Sequence, residues 1–371
     1  MKRKTIIVSV ISELTTDQRV IRISSTLQEM GFDVKVIARG FSDSLPLDSY
    51  PFKAKRIRCF FRKGFMQFAE FNTKLFFHLL FSKTDYLLAN DLDALVPNYI
   101  VSKLRSKKLF YDTHEYYTGV PELKDHPFKK RVWKFFENWI FPKLKVVYTV
   151  NDSIKRLYNE EYGNEILVIR NVPVSIAVEP ILKPKNWEGK IILLMQGVGI
   201  HPGRGGLEAL EMMKYLPDSY HLVYIGGGGQ WETIIKKRDE WHLVNKVEMI
   251  SKMPPVQLKQ YTQLAHLGFS LDGSNDINYL YNLPNKIFDY MHAGVPIVAT
   301  PIPEVKAIID QYKCGILLRS QKPDEMAQEV KALIEDKRFY QTLKENTSIA
   351  AKELCWEKEK NKLISIYQPF L

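Results

Sequence analysis

The chain has 371 residues, of which 45% are apolar and 12% aromatic, so it is long enough for two folded domains and too apolar for a disordered protein. Its formal net charge is +11, and the excess lies in residues 1–185, which hold 31 Lys and Arg against 20 Asp and Glu. The cysteines, Cys59, Cys314 and Cys355, form no CxxC pair, which argues against a disulfide framework and a zinc site and favours a reducing compartment.

The N-terminus, MKRKTIIVSVIS, is basic and then apolar, but its apolar part is short and no small-residue cleavage site follows. We interpret it as a buried strand and expect a cytoplasmic protein. The apolar stretch FNTKLFFHLLF has only eleven residues and includes Lys74 and His78, whereas a membrane-spanning helix needs about 20 apolar residues. We therefore expect no transmembrane helix.

The first half alternates short apolar runs with helix-like segments, a pattern typical of a parallel sheet covered on both faces. A helix is predicted over residues 17–30. The predicted strands are TIIVSVI, FDVKVIAR, YLLAN (86–90), KLFYDTHE (108–115), VVYTVN (146–151) and ILVIRN (166–171).

Two segments of this half are both basic and aromatic. Residues 53–83 hold eight basic residues and one acid among many Phe, and KKRVWKFFENWIFPKLK spans 129–145. Such interleaving at helical spacing suits an anionic membrane surface, where each Lys or Arg contributes about 1 kcal/mol. The alternative is a solvated helix face with its aromatic rings in the core. No nucleic-acid-binding motif accompanies the charge, so we expect no nucleic acid partner.

The pattern restarts after residue 190, which predicts a second doubly wound sheet. Its predicted strands are IILLMQG, HLVYIGGGG, KVEMIS, LGFSLD, VPIVAT and CGILLR, with helices near 206–215, 255–264 and 284–292. The domains are thus predicted at 1–171 and 190–347, joined by the Pro-rich linker 172–189. A charged helix over 348–371 is expected to pack back onto the first domain. Two domains imply a cleft, and ligands of such sheets bind beyond the carboxyl ends of the strands.

The run GVGIHPGRGG, which begins with the last residue of IILLMQG, is the first candidate site. Gly197, Gly203 and Gly205 allow a backbone to approach a ligand closely, and Arg204 is a fixed cation beside the start of a helix. The loop is neither GxGxxG nor a P-loop, and a tight turn with an exposed Arg is the alternative.

The run NLPNKIFDYMHAGVPIVAT supplies the second candidate. Pro284 suits the first helical position, and Lys286 and Asp289 lie three apart on one face predicted to be exposed. They could form an ordinary ion pair worth about 0.2–0.5 kcal/mol. However, a Lys in the first turn opposes the helix dipole unless an anion arrives, so we expect an anionic ligand here.

In the first half, Asp17 and Arg19 are predicted in the loop after the first strand, opposite the candidate phosphate site if the two halves face each other, although Asp17 or Thr16 could instead cap the next helix. The DLD run at 91–93 follows a strand. Asp91 or Asp93 is expected to cap the following helix rather than to bind a metal ion.

These motifs resemble the group 1 (family 4) glycosyltransferases, and the similarity covers nearly the whole chain. The motifs are QGVGIHPGRGGLEAL, LPNKIFDYMHAGVPIVAT, the late CWEKEKNKLISIY and, in the first half, TDQRVIRISSTLQEMGFDVKVIA, ANDLDALVPNYI and FYDTHEYY. The resemblance implies the GT-B fold, an α/β architecture of two Rossmann-like domains facing across a cleft. It also implies a retaining, metal-independent transferase without a cofactor.

The resemblance also implies roles for the candidate residues. Arg204 and Lys286 would hold the diphosphate of a UDP- or GDP-sugar, assisted by Asn285, and Asp289 would accept hydrogen bonds from the ribose. His114 would face the donor sugar, with Glu115 beside it on the acceptor side. The acceptor would be a hydroxyl of a saccharide or lipid-linked sugar in bacterial-type surface polysaccharide or glycolipid synthesis, and the enzyme would be peripheral on the inner membrane face.

One residue departs from the family pattern. The first of the family's two glutamates would fall at Tyr281, and the second is the shorter Asp289, so the donor sugar is left open. Three alternatives remain at this point: a nucleotide-sugar epimerase of the same fold, a non-catalytic binder of sugar nucleotides or membranes, and a nicotinamide-dependent dehydrogenase. The last fits poorly because neither glycine-rich turn matches the dinucleotide fingerprint.

Overall fold

The computed structural model describes residues 3–42, 44, 46–47, 49–120, 123–274 and 276–371, so Met1 and Lys2 of the basic N-terminus lie outside the described residues. The chain divides into two compact units. The first runs to Asn171 and includes Lys358–Leu371, and the second is Val172–Glu357. The segment predicted as a linker, 172–189, thus falls within the second unit.

The first unit is a parallel sheet with helices between its strands. The strands are β1 (Thr5–Val10), β2 (Asp33–Gly40), β3 (Lys53–Arg58), β4 (Tyr86–Asn90), β5 (Lys108–Thr113), β6 (Val146–Thr149) and β7 (Ile166–Val168). The helices are α1 (Gln18–Glu29), α2 (Gly64–Phe81), α3 (Leu92–Leu104), α4 (Pro127–Ile140) and α5 (Asp152–Tyr162). The strand order is β3-β2-β1-β4-β5-β6-β7, and every pairing is parallel.

The second unit repeats this plan around a six-stranded sheet. Its strands are β8 (Ile191–Gly197), β9 (Tyr220–Gly226), β10 (Val247–Ser251), β11 (Leu267–Ser270), β12 (Ile297–Ala299) and β13 (Gly315–Leu317). Its helices are α6 (Gly206–Met212), α7 (Trp231–Glu240), α8 (Pro255–Thr262), α9 (Ile277–Leu280), α10 (Asn285–His292), α11 (Pro303–Tyr312), α12 (Pro323–Glu335) and α13 (Lys337–Glu353). The order is β10-β9-β8-β11-β12-β13, again fully parallel.

The last helix, α14 (Trp356–Tyr367), lies mostly in the first unit. The ring of Tyr367 stacks on Phe110 of β5 with centroids 4.4 Å apart, and its hydroxyl lies 3.1 Å from that of Tyr148 in β6. Phe370 packs edge-on against Phe110. The end of the chain therefore completes the core of the first unit.

Three predictions about the elements are wrong. Residues 53–58 form the edge strand β3 and not a helix, because they pair in parallel with β2. Pro284 precedes α10, which begins at Asn285, because its ψ of 133° is extended. The segment 348–371 is not one helix, since α13 ends at Glu353 and Leu354 leaves the helical conformation.

Two further observations concern the cysteines and the membrane. Cys59, Cys314 and Cys355 are all buried free thiols. Within the described ranges, no helix combines the length and the apolar character needed to cross a membrane.

Candidate functional site

The first candidate half-site lies in the second unit, where the strand order changes direction. β8 and β11 are neighbours, but β8 leads on to β9 on one side and β11 to β12 on the other. Such a switch point opens a crevice beyond the carboxyl ends of the two strands. The loop after β8 carries Arg204, and the loop after β11 carries Asp272.

Arg204 is held in place from two sides. Its Nη1 lies 3.3 Å from Oδ1 of Asp272, and its guanidinium stacks over the ring of Tyr279 at 4.7 Å from the centroid. Both contacts fix the plane of a cation whose side chain is 23% exposed. Arg204 is therefore preorganised and still open to solvent, as an anion-binding residue has to be.

Lys286 is the second cation of this crevice. It is half-buried in the first turn of α10, and among the described residues it makes no salt bridge and no hydrogen bond. Burial and the nearby Arg204 lower its pKa, while Asp272 acts in the opposite direction. The ion pair with Asp289 that we considered as an alternative does not form.

Asp272 is a site residue that our sequence reasoning missed. Its side chain is fully buried, and neither carboxylate oxygen accepts a hydrogen bond from any described residue. A buried carboxylate of this kind is costly unless cations compensate it. Arg204 and Lys286 supply that compensation, so the three side chains form one charged cluster.

Asp289 and Lys286 are half-buried, and the prediction that they share an exposed face is wrong. Packing explains the difference. The hydroxyl of Tyr290 is shared between the carbonyls of Leu194 and Phe269, and these hydrogen bonds hold α10 against β8 and β11. Asp289 Oδ2 accepts a hydrogen bond from Gln196 Nε2 at 3.3 Å, so the end of β8 orients this carboxylate.

The remaining predicted residues of this half-site surround the cluster. Asn285 is exposed at the start of α10, Pro284 is buried before it, and Tyr281 is half-buried at the end of α9. Gly197 and Gly203 both have left-handed φ angles, and the carbonyl of Gly203 accepts a hydrogen bond from Gly273 N at 2.7 Å.

Gly205 is required by packing as well as by its backbone. Its φ is +73°, and a methyl group there would lie 2.2 Å from Leu271 Cβ. This glycine lets the loop after β8 touch the loop after β11. The close contact of the two loops is what brings Arg204 to Asp272.

The second candidate half-site lies in the first unit, at the carboxyl ends of β4 and β5. His114 Nδ1 lies 3.1 Å from Asp91 Oδ2, and its Nε2 lies 3.4 Å from Asp112 Oδ2. Burial opposes a charge on the ring, but these two carboxylates outweigh it and raise the pKa of His114 to about 10. At neutral pH His114 is therefore an imidazolium, a hydrogen-bond donor and not a base.

Asp91 has an unusual backbone. Its φ of 58° and ψ of 167° lie in a region normally reserved for glycine, which costs about 1–3 kcal/mol. Its carboxylate accepts a hydrogen bond from His114 N at 2.7 Å. Asp91 occupies the N-cap position of α3, as predicted, but its side chain contacts His114 and makes no capping hydrogen bond, and Asp93 lies inside the helix. Burial and Asp91 raise the pKa of Asp93 well above its usual range.

Three further predicted residues lie at the ligand edge of the first unit, Asp17 and Arg19 at the start of α1 and Glu115 after β5. Asp17 caps α1 by accepting from Val20 N at 3.1 Å, the alternative weighed above. Arg19 lies in α1 and not in the loop. It is buried, and it donates two hydrogen bonds to Asp112, at 2.7 and 2.9 Å, and one to the carbonyl of Ile169. Arg19 thus supports the Asp112 carboxylate, which lies beside His114. Glu115, the residue after His114, is half-buried.

Comparisons with known proteins identify the family. The model of "Glycosyl transferases group 1" matches residues 184–349, and that of "Glycosyltransferase Family 4" matches residues 17–172. The chain is a member of the group 1 glycosyltransferases. The two matched ranges include all of the predicted site residues named above.

This group 1 glycosyltransferase also has a distant relative among the characterised proteins. It is 23% identical over 267 residues to the chitobiosyldiphosphodolichol beta-mannosyltransferase of Candida albicans. The match covers 65% of this chain and 58% of that protein, so it spans less than two thirds of the relative.

Solved structures of similar fold include transferases and an epimerase. Sucrose-phosphate synthase from Thermosynechococcus elongatus has a TM-score of 0.79 at 14% identity, with 99% of each chain covered. Anabaena HepE with UDP-glucose has a TM-score of 0.75 at 15% identity, covering 99% of this chain and all of that one. A putative UDP-N-acetylglucosamine 2-epimerase from Listeria monocytogenes has a TM-score of 0.66 at 13% identity, covering 100% of this chain and 97% of that one. At these identities the likeness shows the fold, GT-B, and nothing finer.

Proposed function

We propose that this group 1 glycosyltransferase transfers a sugar from a UDP- or GDP-sugar to a hydroxyl of a saccharide or lipid-linked acceptor, with retention of configuration and without a metal ion or cofactor. The observation that carries the proposal is the cluster of Arg204, Lys286 and Asp272 at the switch point of the second unit. The proposal assigns donor binding to that unit and acceptor binding to the first.

The cluster suits a diphosphate. It offers two cations against one buried carboxylate, so its net charge is about +1 and its two cationic groups have unused hydrogen-bond donors. Breaking the bond between the sugar and the diphosphate places negative charge on the phosphate oxygens. Preorganised cations stabilise this charge more in the transition state than in the ground state.

The proposed reaction needs no separate base. The bond between the anomeric carbon and the β-phosphate oxygen breaks on the same face on which the acceptor oxygen forms its new bond, and the departing phosphate takes the acceptor proton. His114 would face the donor sugar; because its two ring nitrogens already lie beside Asp91 and Asp112, it would act through its position and its positive charge. Gln196 would keep Asp289 turned toward the ribose.

Nucleotide binding is the first test. We would measure the melting temperature of the wild type with UDP, GDP, ADP and their sugars; UDP heads the panel because HepE was crystallised with UDP and with UDP-glucose. A ligand at 100 times its Kd should stabilise the fold by about 2.7 kcal/mol. Lys286→Ala and Arg204→Ala should each weaken binding by about 10- to 100-fold, because each removes a charged donor.

The matched control is Lys331→Ala, a lysine of α12 in the same unit. It should bind nucleotides like the wild type. No stabilisation by any nucleotide would contradict the donor assignment. Undiminished stabilisation in Lys286→Ala would contradict only the role of Lys286.

Turnover distinguishes the rival functions. A transferase consumes the sugar nucleotide only when an acceptor is present, whereas an epimerase converts it without one; the epimerase alternative is kept because a putative epimerase shares the fold. Nucleotide binding without turnover on any acceptor would indicate a binding protein. Activity that persists after treatment with a chelator would support metal independence, and the anomeric configuration of the product decides retention.

We further propose that the first unit docks on an anionic membrane at the inner membrane face. The exposed aromatic side chains of α2 and α4 are Phe65, Phe77, Phe81, Phe128, Phe135 and Trp139. The contact of Phe68 with Trp133, with centroids 5.1 Å apart, joins the two helices. The exposed run Lys129, Lys130 and Arg131 accompanies them. Rings that insert beside cations suit an acidic lipid surface.

Vesicle sedimentation tests this part separately. Wild type should pellet with vesicles that contain phosphatidylglycerol and much less with pure phosphatidylcholine. Phe65→Ser/Phe128→Ser should lose most of this binding, whereas Phe339→Ser/Ile349→Ser, exposed apolar residues of α13, should not. Equal, negligible pelleting with both lipids would reject membrane docking and leave the transferase proposal standing.

A further inference from the structure

A cavity of about 400 Å³ lies in the first unit, away from the carboxyl ends of its strands. It is formed by the connection from α3 to β5 and by the segment that precedes β6. Lys108 begins β5 and lies in its wall, whereas His114 follows the other end of that strand, roughly 20 Å away at about 3.3 Å per residue. The cavity is therefore separate from the half-site around His114.

The lining of this cavity is strongly basic. Half of its ten residues are lysines, and none is acidic: Tyr99, Ser102, Lys103, Ser106, Lys107, Lys108, Leu109, Lys143, Leu144 and Lys145. Among the described residues, none of the five lysines forms a salt bridge. Some lysines elsewhere in the unit have acidic partners, such as Lys53 with Asp33 and Lys74 with Glu70.

Three of the lysines place their ammonium groups over aromatic rings, and the charge of one further lysine acts on Lys108. Lys108 Nζ lies 3.6 Å from the centroid of Phe370, Lys143 lies over Trp139, and Lys103 lies over Tyr99. Burial and the charge of Lys145 both lower the pKa of Lys108. Like charges this close repel each other, and a bound anion would remove the repulsion.

A favourable interaction with the end of a helix explains only one of the five cavity lysines. Lys103 lies in the last turn of α3, where a cation is favourable. The other four lie outside α-helices, on both walls of one concave volume. That volume falls in the range of about 300–1,000 Å³ typical of small-molecule sites.

From this convergence of unpaired lysines we infer that the cavity binds a phosphate-rich polyanion, at a site distinct from the proposed donor site. A chain or cluster of phosphates carries more acceptor oxygens and more negative charge than a single carboxylate, so it can engage more of these ammonium groups at once. The shared chemistry is a chain or cluster of phosphates, either from a soluble polyphosphate compound or from phospholipid headgroups, since Trp139 and Lys143 connect this cavity to the exposed end of α4.

Calorimetric titration of the full-length chain with inorganic tripolyphosphate tests the inference. Lys107→Gln/Lys145→Gln should bind about tenfold or more weakly than the wild type, since each charge removed contributes about 1 kcal/mol at such a surface. Lys107→Arg/Lys145→Arg should retain binding, because it keeps both charges. Lys337→Gln/Lys352→Gln, which removes two exposed charges from α13, is the matched control and should bind normally.

A further variant separates this site from the proposed donor site. Arg204→Ala/Lys286→Ala should lose nucleotide binding and keep tripolyphosphate binding in the cavity. Lys107→Gln/Lys145→Gln is called the glutamine pair below. If the Arg204→Ala/Lys286→Ala variant loses tripolyphosphate binding while the glutamine pair retains wild-type affinity, the inference about the cavity is wrong and the donor assignment stands. Should Lys107→Gln/Lys145→Gln fail to fold, Lys103→Gln/Lys143→Gln takes its place with the same expected loss.

Vesicles distinguish the source of the phosphate. Phosphatidylcholine vesicles with and without phosphatidic acid are compared for the wild type and the glutamine pair. A loss of phosphatidic acid binding in the pair, together with the loss of tripolyphosphate, assigns the site to headgroups. Loss of tripolyphosphate alone assigns it to a soluble ligand. Wild-type affinity of the pair for both probes would overturn the inference.

Discussion

Asp272 places a negative charge where a negative ligand is proposed to bind. Its carboxylate lies 3.3 Å from Arg204 Nη1 and also attracts Lys286, whose pKa is lowered by burial. The acid therefore helps Lys286 to stay protonated in a half-buried position. Without it, Arg204 and Lys286 would repel each other with no compensation.

Replacing Asp272 by the isosteric Asn tests this role. In Asp272→Asn the pKa of Lys286 should fall further, so nucleotide affinity should decline at a lower pH than in the wild type. The melting temperature without ligand should also fall, because a buried charge network loses one member. Titrations with UDP between pH 7 and 10 measure the first effect. Asp310→Asn, an exposed acid of α11, is the control, and a profile for Asp272→Asn that matches the wild type would exclude the role.

His114 gives a prediction about stability and pH. Its folded-state pKa of about 10 exceeds the ordinary value of 6.5, so the charged ring stabilises the fold fully below about pH 6.5, and this contribution disappears as the pH rises through about 10. His114→Gln should therefore be less stable than the wild type at pH 6, and the difference should shrink toward pH 10. Urea unfolding at several pH values measures it. A difference that does not change with pH would show that folding leaves the pKa of His114 unshifted.

Residue chemistry alone predicted part of this site. Arg204 and Lys286 could be predicted because each places a positive charge near the start of a helix, where the charge is unfavourable unless an anion binds. Asp272 is the last residue of the predicted strand LGFSLD, at the ligand edge, but it was not selected because a negative charge beside a phosphate site is electrostatically unfavourable. Arg19 could not be assigned, because its partner Asp112 is 93 residues away along the chain.

At the scale of elements, the loops after β8 and β11 depend on Gly205. Gly205→Ala should destabilise the second unit by about 2–5 kcal/mol, from the left-handed φ and the overlap with Leu271 together. Gly227→Ala is the matched control, since a methyl group there meets nothing within 4 Å. Thermal unfolding measures both. A Gly205→Ala variant as stable as the control would mean that the two loops are not in close contact.

Strands buried on both faces were predicted well, because each is a short apolar run between breakers. β4 and β8 match their predicted ranges, and β1 and β6 end one and two residues earlier than predicted. β3 was missed because its KAKRIR sequence has the charge of a solvated helix, and only pairing with β2 makes it a strand. The observed helix ends differ from the predicted ones where the backbone angles are not helical, as at Pro284.

At the scale of the whole molecule, the stability of the first unit depends on the end of the chain. Tyr367 is fully buried and stacks on Phe110, so Tyr367→Ala should remove about 3–5 kcal/mol from the first unit. The second unit should be unaffected. Hydrogen exchange read separately in β5 and β8 measures the difference, and Tyr367→Phe is the milder control. Equal loss of protection in both strands would mean that the two units unfold together.

The route of the chain has a consequence for synthesis. Residues up to Asn171 leave the ribosome first, but α14 follows the whole second unit. Until then the face of β5 and β6 that Tyr367 covers is bare, and apolar rings such as Phe110 are available for wrong contacts. The unit that is made first is therefore finished last, and the second unit can complete its own core beforehand. A pause in translation before residue 358 should leave a nascent chain that chaperones bind through its first unit.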